Sequence, residues 1–275
     1  MNNIFDLKNK KIVISGGAGY LGTEFSFAVS SVGAIPIILD QNGKALNSLK
    51  KKFTKKKLKG EFFQVDLFNE IELNKIISIV IKKHKAIDCL INLASYYSRE
   101  TKNKKNLLFD KFEEYNFKVW EKSLSGNLSS NFAIIKSVSK YMLKKKSGSI
   151  INIASDVGII SPDHRIYKPN KKTNYKGVEF NTPLSYAVSK SGIISMTRYL
   201  ATYWAKSGIR VNCISPAGVY KKHDKKFVEQ LSERIPLGRM AKKHEFNGAI
   251  IYLCSNASSF VTGHNLVIDG GRTIW

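Results

Sequence analysis

The chain has 275 residues, of which 43% are hydrophobic and 24% charged, so it is long enough to bury a sizeable core and is not a disordered or low-complexity protein. Its three cysteines lie far apart in apolar stretches, which excludes a disulfide framework and indicates a reducing compartment. The formal net charge of +24 comes from 38 Lys against 7 Arg, with no zinc-finger, RNP or helix-turn-helix pattern beside the lysine runs. We therefore expect solvated lysine-rich faces, and neither a nucleic-acid partner nor a metal site.

Targeting and membrane signals are not found in the sequence. No apolar run reaches the roughly 18 to 20 residues of a membrane span, and residues 1–10 lack the apolar core of a signal peptide. We expect a cytoplasmic protein without a membrane partner.

Short β-branched runs alternate with longer helical patterns along the whole chain, which predicts an α/β fold with a parallel sheet wrapped by helices. No repeat, linker or shift in composition marks a second domain, so residues 1–275 are predicted to form a single domain. The predicted strands are residues 11–15, 35–39, 61–65, 87–91, 149–153, 209–214 and 265–268. The predicted helices are residues 20–32, 69–84, 115–145, 185–205 and 244–255.

A glycine-rich turn joins the first predicted strand to the first helix. Residues 17–22 satisfy G-x-G-x-x-G in the strand, turn and helix context that makes this pattern meaningful. Glycines let the backbone approach a pyrophosphate, and the helix N-terminus offers free N–H groups to it. The candidate dinucleotide-binding residues of this turn are Gly16, Gly17, Gly19, Tyr20, Leu21 and Gly22.

Asp40 directly follows the second predicted strand, at the distance where an acid meets the adenosine ribose of a dinucleotide. Its carboxylate can accept hydrogen bonds from ribose hydroxyls and repels a 2′-phosphate, which favours NAD over NADP. The positive overall charge and nearby Lys44 oppose this preference. An alternative, in which Asp40 only starts the turn 40–43, fits either cofactor.

The pattern Y-x-x-x-K occurs three times in this lysine-rich chain, so context has to choose among the pairs. They are Tyr141/Lys145, Tyr167/Lys171 and Tyr186/Lys190. The first lies at the polar end of a helix, and the second spans a proline and cannot be regular helix. We favour Tyr186/Lys190, because it opens an apolar helix on which a spacing of four places both side chains on one face.

Taken in order, these motifs resemble the short-chain dehydrogenase/reductase family over essentially the whole chain. The matching positions are residues 15–22, Asn127, Ser155, Tyr186 to Lys190, 210–212, Ser215 with Pro216, 261–263 and 269–271. The resemblance implies a Rossmann-type, doubly wound fold with a seven-stranded parallel sheet in three layers, and a nicotinamide cofactor. It also implies catalytic Ser155, Tyr186 and Lys190, supported by Asn127.

These residue types suit the transfer of a hydride and a proton. Oxidation of an alcohol needs a base for the hydroxyl proton, and a tyrosine of pKa about 10 is a poor base near neutrality. The ammonium of Lys190 on the same helix face favours the phenolate of Tyr186. Ser155 would hydrogen-bond the substrate oxygen. By resemblance, Lys190 also holds the nicotinamide ribose, and Asn127 holds a water that links Lys190 to solvent.

Further cofactor contacts follow from the resemblance, and so does one departure. The additional positions are Asp66, Leu67, Asn92, Ala94, Pro216, Gly218 and Val219. Tyr20 stands where the family's single-domain branch has the middle glycine of G-x-x-x-G-x-G. Gly16, Gly19 and Gly22 instead fit the spacing of a larger branch that includes sugar-nucleotide epimerases and dehydratases, although no separate substrate domain is predicted here.

Two loops are candidates for substrate binding. The insertion, residues 161–183, has three prolines and no helical periodicity, and loops of this length are usually functional or mobile. Its cations and tyrosines fit an anionic or polyhydroxylated substrate, with a solvated insertion as the alternative. Residues 162–167 also resemble reductases of surface-glycan or flagellin-sugar synthesis. The second loop is the lid segment, residues 219–235.

The leading interpretation is an NAD(P)-dependent oxidoreductase that acts on a secondary alcohol or ketone, with sugars and sugar nucleotides as the candidate substrates. One alternative is an epimerase or dehydratase that keeps its NAD bound. Another is a non-catalytic nucleotide-sensing or nucleic-acid-binding protein on the same fold. Relatives associate through helices equivalent to 115–145 and 185–205, which implies a homodimer or homotetramer.

Overall fold

A computed structural model describes residues 3–96, 101–102, 105–167 and 181–275 of the chain. In chain order its helices and strands are β1 (Lys11–Ser15), α1 (Tyr20–Ser31), β2 (Ile35–Asp40), α2 (Gly43–Lys55), β3 (Glu61–Gln64), α3 (Glu70–His84), β4 (Cys89–Asn92), β5 (Thr101–Lys102), β6 (Lys105–Asn106), α4 (Phe117–Leu124), α5 (Ser130–Lys145), β7 (Gly148–Ile153), α6 (Leu184–Trp204), β8 (Ile209–Pro216), α7 (Lys225–Ser232), α8 (Asn247–Cys254) and β9 (Asn265–Ile268).

Seven of the strands form one parallel sheet in the order β3-β2-β1-β4-β7-β8-β9. Strands such as β1, with Ile12, Val13 and Ile14 fully buried, are apolar throughout because helices cover both faces of the sheet. The predicted Rossmann-type, seven-stranded sheet is thus confirmed. The strand order reverses between β1 and β4, and ligands of such sheets bind outside the carboxyl ends of the strands at this switch point. The separate β5–β6 pair is antiparallel and was not predicted.

The sheet has an apolar layer on each face. Residues of α3, α5 and α6, such as Ile77 and Val138, pack on one face. Residues of α1 and α8, such as Phe25 and Ile250, pack on the other. Nowhere in the described ranges does a helix combine the length and the apolar character needed to cross a membrane.

The helix predicted over residues 115–145 is interrupted, and two helices were missed. A π-helical turn, Ser125–Ser129, separates α4 from α5. A Cβ on Gly126 would lie only 2.2 Å from the Tyr96 Cβ, so this turn accommodates a close approach of the loop after β4. The missed helices α2 and α7 are lysine-rich and each starts at a side-chain cap, Asn42 or Asp224.

Candidate active site

The predicted site residues gather at one edge of the sheet, where the carboxyl ends of the parallel strands meet. The glycine turn, residues 16–22, starts directly after β1 and runs into α1, and Ser155 follows β7. Asn92 and Ala94 lie at the end of β4, and Pro216 closes β8 beside the lid segment. Asp40 ends β2, and Asp66 and Leu67 follow β3 at the outer end of this edge.

The glycine turn is closed to side chains at three positions. Gly16 has a φ of +65°, and a Cβ there would lie 3.0 Å from the Ala94 Cα. A Cβ on Gly17 would meet an Ile38 methyl at 2.8 Å, and one on Gly22 would meet the Gly16 carbonyl oxygen at 2.2 Å. Helix α1 starts within this turn at Tyr20, and its N-cap residue, Gly19, offers no side-chain cap. Bare backbone at a helix N-terminus fits the pyrophosphate of a dinucleotide.

Tyr20, in place of the family's middle glycine, points to the lid segment. Its hydroxyl donates to the Tyr220 carbonyl oxygen at 2.6 Å. The Lys221 ammonium lies 4.9 Å from the centre of the Tyr20 ring. The departure in the glycine spacing therefore provides a contact between the glycine turn and the lid segment.

The Asp40 carboxylate is fixed by backbone groups at the mouth of the glycine turn. One oxygen accepts from the Ala18 N–H at 3.1 Å and the other from the Asn42 N–H at 2.9 Å. Asp40 therefore does start the turn 40–43. The bond to the Ala18 N–H also keeps the Asp40 carboxylate beside the glycine turn, where the carboxylate can meet a ribose. Exposed Asp66 accepts a hydrogen bond from the Phe68 N–H.

The Asn92 side chain connects β4 to β1 and to α5 beneath the crevice. Its Oδ1 accepts from the Ser15 hydroxyl at 2.9 Å, and its Nδ2 donates to the Asn131 carbonyl oxygen at 3.1 Å. Ser15 in turn accepts from the Leu93 N–H at 3.2 Å. The Asn92 side chain is fully buried, so it fixes β1 and β4 together rather than facing the crevice.

Tyr186 and Lys190 lie in the first turns of α6. The start of this helix is held by Ser185, which donates to the Ser123 hydroxyl at 2.8 Å and lies 3.1 Å from the Tyr115 hydroxyl. Lys190 is only 4% exposed, and its Nζ donates to the Ile153 carbonyl oxygen at 2.8 Å. The same Nζ lies 5.3 Å from the centre of the Tyr186 ring. Burial lowers the pKa of Lys190 to about 8.

Ser155 is linked to two residues that the sequence analysis missed. Its hydroxyl donates to Asp156 Oδ1 at 2.8 Å, and the Asp156 carboxylate is paired with the Arg272 guanidinium. All three side chains are buried. The sequence did carry a signal for Asp156, because this acid directly follows the serine at the end of a predicted strand. Arg272, which follows two glycines 116 residues later, carried no local signal.

Asn127 lies in the π-helical turn and is 1% exposed. Its Oδ1 accepts from the Ser95 hydroxyl at 2.7 Å and from the Tyr96 N–H at 3.0 Å. Its Nδ2 donates to the carbonyl oxygens of Tyr96 and Ser123. The side chain therefore connects the loop after β4 to α4. Its predicted water-holding role stays a prediction.

The described ends of the insertion pack against the lid segment. Ile166 is buried with Leu231 and Ile235, and the Tyr167 ring stacks on Phe227 with centroids 5.8 Å apart. Asp163 accepts from Arg234 at 2.5 Å, and its two arginine neighbours hold the pKa of this carboxyl well below its usual range. Ile166 and Tyr167 are thus packed against the lid segment, while His164 and Arg165 beside them are exposed. The remaining predicted contacts, Lys168, Lys171, Lys172, Tyr175 and Lys176, lie outside the described residues.

The other family-like motifs serve the fold. Asn212 donates to the Val261 carbonyl oxygen at 2.8 Å and accepts from the His264 N–H at 3.0 Å, which joins β8 to the segment before β9. The Thr262 hydroxyl accepts from the Val211 N–H at 3.1 Å. Within the described part of the chain, no group of three or more His, Cys, Asp or Glu side chains is arranged to hold a metal.

Comparisons with known proteins agree along nearly the whole chain. A family model described as enoyl-(acyl carrier protein) reductase matches residues 21–273. The 3-oxoacyl-[acyl-carrier-protein] reductase of Thermotoga maritima is 30% identical over 98% of this chain and 99% of its own length. The NAD-dependent glycerol dehydrogenase of Listeria innocua is 28% identical over 98% and 96%. A crystal structure of a short-chain dehydrogenase from Leptospira borgpetersenii with bound NAD⁺ is 31% identical, with a TM-score of 0.83 and coverage of 99% and 96%.

Proposed function

Because the chain belongs to the short-chain dehydrogenase/reductase family, we propose that it interconverts a secondary alcohol of a polyol or sugar and the corresponding ketone with NAD, at Ser155, Tyr186 and Lys190. Membership of this family makes the chain an NAD(P)-dependent oxidoreductase. The observation that supports the site best is the buried Lys190, whose ammonium lies against the Tyr186 ring and bonds the strand that leads to Ser155.

Tyr186 is the proposed base for the substrate hydroxyl. The Lys190 ammonium favours the phenolate because an opposite charge nearby stabilises the ionised form. With a pKa of about 8, Lys190 is charged at neutral pH and loses this charge as the pH rises through 8. Tyr186 therefore receives its electrostatic support below that pH. In the reverse direction the same phenol returns the proton to the ketone oxygen.

Ser155 is the proposed hydrogen-bond partner of the reacting substrate oxygen. It follows β7 at the carboxyl edge, and the turn it begins packs on α6: the Ser191 hydroxyl donates to the Gly158 carbonyl oxygen at 3.0 Å. A Cβ on Gly158 would lie 2.8 Å from the Lys190 carbonyl carbon. This close contact fixes the turn after Ser155, Asp156–Gly158, relative to the helix that carries Tyr186 and Lys190.

The glycine turn would hold the pyrophosphate of the cofactor, and Asp40 its adenosine ribose. The nicotinamide supplies the hydride acceptor and donor for the reaction. We propose NAD rather than NADP, since the Asp40 carboxylate is held at the mouth of the glycine turn by the N–H groups of Ala18 and Asn42. A fixed carboxylate there accepts ribose hydroxyls and repels a 2′-phosphate.

Replacement of Asp40 tests the cofactor preference. Asp40→Ser removes the negative charge and shortens the side chain, and we expect about tenfold weaker binding of NADH with stronger binding of NADPH. Asp6→Ser is the matched control, because Asp6 is an exposed acid that precedes the amino end of β1 and, like Asp40, accepts from the N–H two residues further on. Titration of nucleotide fluorescence gives both dissociation constants. Unchanged discrimination in Asp40→Ser would leave the NAD preference unsupported.

The substrate is proposed to be a polyol or sugar because of both the relatives and the local chemistry. The Listeria innocua relative acts on glycerol, as its name states. The described end of the insertion presents exposed His164 and Arg165, of which Arg165 is paired with Asp163, beside an apolar contact with the lid segment. Such groups suit hydroxyl-rich and anionic ligands. The substrate-binding loops are proposed to belong to the same domain as the sheet.

Association into a dimer or tetramer is proposed to use α5 and α6. Large aromatic side chains are exposed there: Phe132 is 57%, Tyr199 67% and Tyr203 68% exposed. Tyr199 and Tyr203 stack with ring centres 6.0 Å apart. A Tyr203→Lys variant should sediment as a smaller species than the wild type if this face is the interface.

A panel of glycerol, threitol, xylitol, gluconate and sugar nucleotides with NAD⁺, followed by the NADH absorbance, tests the proposed reaction. We expect turnover of a polyol or sugar, and a loss of about 10³-fold in kcat for Tyr186→Phe with NADH binding retained. Tyr199→Phe is the matched control, since Tyr199 is exposed on the same helix. If Tyr186→Phe turns over substrate as fast as Tyr199→Phe, the assignment of Tyr186 is wrong.

A further inference from the structure

A buried ion pair lies directly behind the Ser155 hydroxyl. Asp156 and Arg272 are 3% and 7% exposed, and an Arg272 guanidinium nitrogen bonds one carboxylate oxygen of Asp156. The other carboxylate oxygen accepts from the Ser155 hydroxyl and from the Val157 N–H, both at 2.8 Å. One hydrogen bond therefore connects the ion pair to the hydroxyl proposed to contact substrate.

Arg272 is presented to Asp156 by a fixed turn after β9. Asp269 accepts from the Gly271 N–H at 2.9 Å and from the Thr273 N–H at 2.7 Å. These two bonds flank Arg272 on both sides. The guanidinium therefore reaches the turn after Ser155 from a preorganised segment, not from a mobile chain end.

Stability alone is a poor explanation for this pair. The cost of removing two charges from water commonly matches or exceeds their mutual attraction, and apolar side chains of similar volume serve a fold as well. Buried charges also act on neighbouring ionisable groups with little screening. A carboxylate one hydrogen bond from Ser155 therefore has electrostatic consequences for the proposed site.

Resting on the proposed function, we propose that Asp156 and Arg272 are a charge-compensated positioning pair, in which Asp156 orients the Ser155 hydroxyl and Arg272 cancels the negative charge that would oppose the Tyr186 phenolate. An uncompensated carboxylate disfavours ionisation of a nearby phenol, and an uncompensated guanidinium favours it. In the intact pair the two effects offset each other.

Other charged groups also act on this region. Lys190 approaches from α6 and bonds the Ile153 carbonyl oxygen. From the insertion comes Tyr167, a neighbour of both charges whose pKa is raised chiefly by burial, together with Asp163, which is paired with Arg234. Because Tyr167 is influenced by both Asp156 and Arg272, substitutions at positions 156 and 272 also shift its ionisation, and the titration of Tyr186 has to be separated from that of Tyr167.

A double-mutant cycle tests the pair. The variants are Asp156→Asn, which keeps an oxygen to accept from Ser155, Arg272→Met, and the two combined. The readout is an ultraviolet titration of Tyr186, taken for each protein as its difference from the same protein carrying Tyr186→Phe, and it needs no substrate. Arg272→Met should raise the pH of Tyr186 ionisation and Asp156→Asn should lower it, each by about one pH unit, or tenfold in proton affinity. The double variant should return close to the wild type.

The acidic limb of kcat/KM should move in the same directions. Shifts of the same sign in both single variants, or no shift in either, would overturn the proposal. If Arg272→Met does not fold, Asp156→Asn is compared with the double variant instead. Tyr186 must then ionise at a higher pH in the double variant than in Asp156→Asn. Opposite shifts without turnover on any panel substrate would support the pair while refuting the proposed function, whereas turnover without opposite shifts would refute only the pair.

Discussion

The two sides of the crevice are held together by different kinds of contact. On the side proposed to bind the cofactor, the glycine turn and the ends of β1 and β4 meet through backbone, with Gly16 against Ala94 and Gly22 against Gly16. On the side proposed to bind substrate, side chains from distant segments meet, as in the pairs Asp156–Arg272 and Asp163–Arg234. Backbone packing tolerates almost no change, whereas side-chain pairs are exchanged without moving the sheet. The first arrangement suits the binding of one kind of cofactor, and the second suits a substrate pocket that can be altered by single substitutions.

The largest effect is expected on the cofactor side, at Gly22. In Gly22→Ala the new Cβ would lie 2.2 Å from the Gly16 carbonyl oxygen and 2.7 Å from the Gly17 Cα. Because only backbone atoms oppose it, we expect the free energy of unfolding to fall by about 3 kcal/mol, together with loss of NADH binding. Urea denaturation and nucleotide fluorescence measure the two effects.

Gly248→Ala is the matched control for that substitution, since nothing lies within 4 Å of its added Cβ in α8. It should be neutral or stabilise the protein by about 0.5 kcal/mol. Equal effects of the two substitutions would show that close backbone contact does not define the cofactor side.

Lys190 lies between the two sides, and the burial of its charge should lower the free energy of unfolding. The folded-state pKa of about 8 lies below the unfolded value, so protons bind the unfolded chain more readily between these values. The penalty is fully present below pH 8 and fades as the pH rises toward about 10.4, the value of a free lysine. Lys190→Met should therefore raise the free energy of unfolding by about 2 kcal/mol at pH 7, with a smaller gain at pH 10, while removing activity.

Denaturant unfolding at the two pH values checks this prediction. Lys144→Met, on the exposed end of α5, serves as the control and should show no such pH dependence. A Lys190→Met protein that is less stable than the wild type at pH 7 would contradict the expected penalty.

On the substrate side, Ile166→Ala should separate the two regions. Ile166 is 4% exposed and packs with Leu231, Ile235 and Met240. Its truncation should cost about 2 kcal/mol of local packing and raise KM for substrate, while the dissociation constant of NADH stays unchanged. Ile79→Ala, at an exposed position on α3, is the control. An equal loss of NADH affinity would show that the two sides are not independent.

The smallest effect is expected from Tyr20→Phe. This change removes the hydroxyl that donates to the Tyr220 carbonyl oxygen at 2.6 Å and keeps the ring beside Lys221. Loss of one hydrogen bond, about 1 kcal/mol, should make NADH dissociation about fivefold faster if the lid segment closes on the cofactor. Stopped-flow fluorescence measures the rate, and an unchanged rate would mean that this contact does not hold the lid segment.

The same contrast explains what the sequence could predict. The strands and the glycine turn carry local signals, because buried β-branched runs and glycines at fixed spacings are imposed by nearby sterics. Tyr186 was selected from three Y-x-x-x-K pairs because the helix around it is apolar. Helices α2 and α7 were missed although both carried local signals: Leu46, Leu49 and Phe53 recur at helical spacing in α2, and Asn42 and Asp224 are recognisable caps.

The contacts of the substrate side carried no such local signal. Asp156 meets Arg272 across 116 residues, and Asp163 meets Arg234 across 71. The interruption of the helix predicted over residues 115–145 depends on Tyr96, from another loop, which approaches Gly126. Contacts of this kind are set by how the sheet brings distant segments together, which one sequence does not reveal.

Transfer of a labelled hydrogen tests the central claim most directly. The polyol or sugar that is oxidised fastest in the panel is prepared with deuterium on its secondary carbinol carbon and incubated with the enzyme and NAD⁺. The account predicts reduced nucleotide that carries one deuterium, formed at a rate that falls about 10³-fold in Tyr186→Phe. Substrate conversion that leaves the nucleotide unlabelled, or labelling that Tyr186→Phe does not slow, would contradict it.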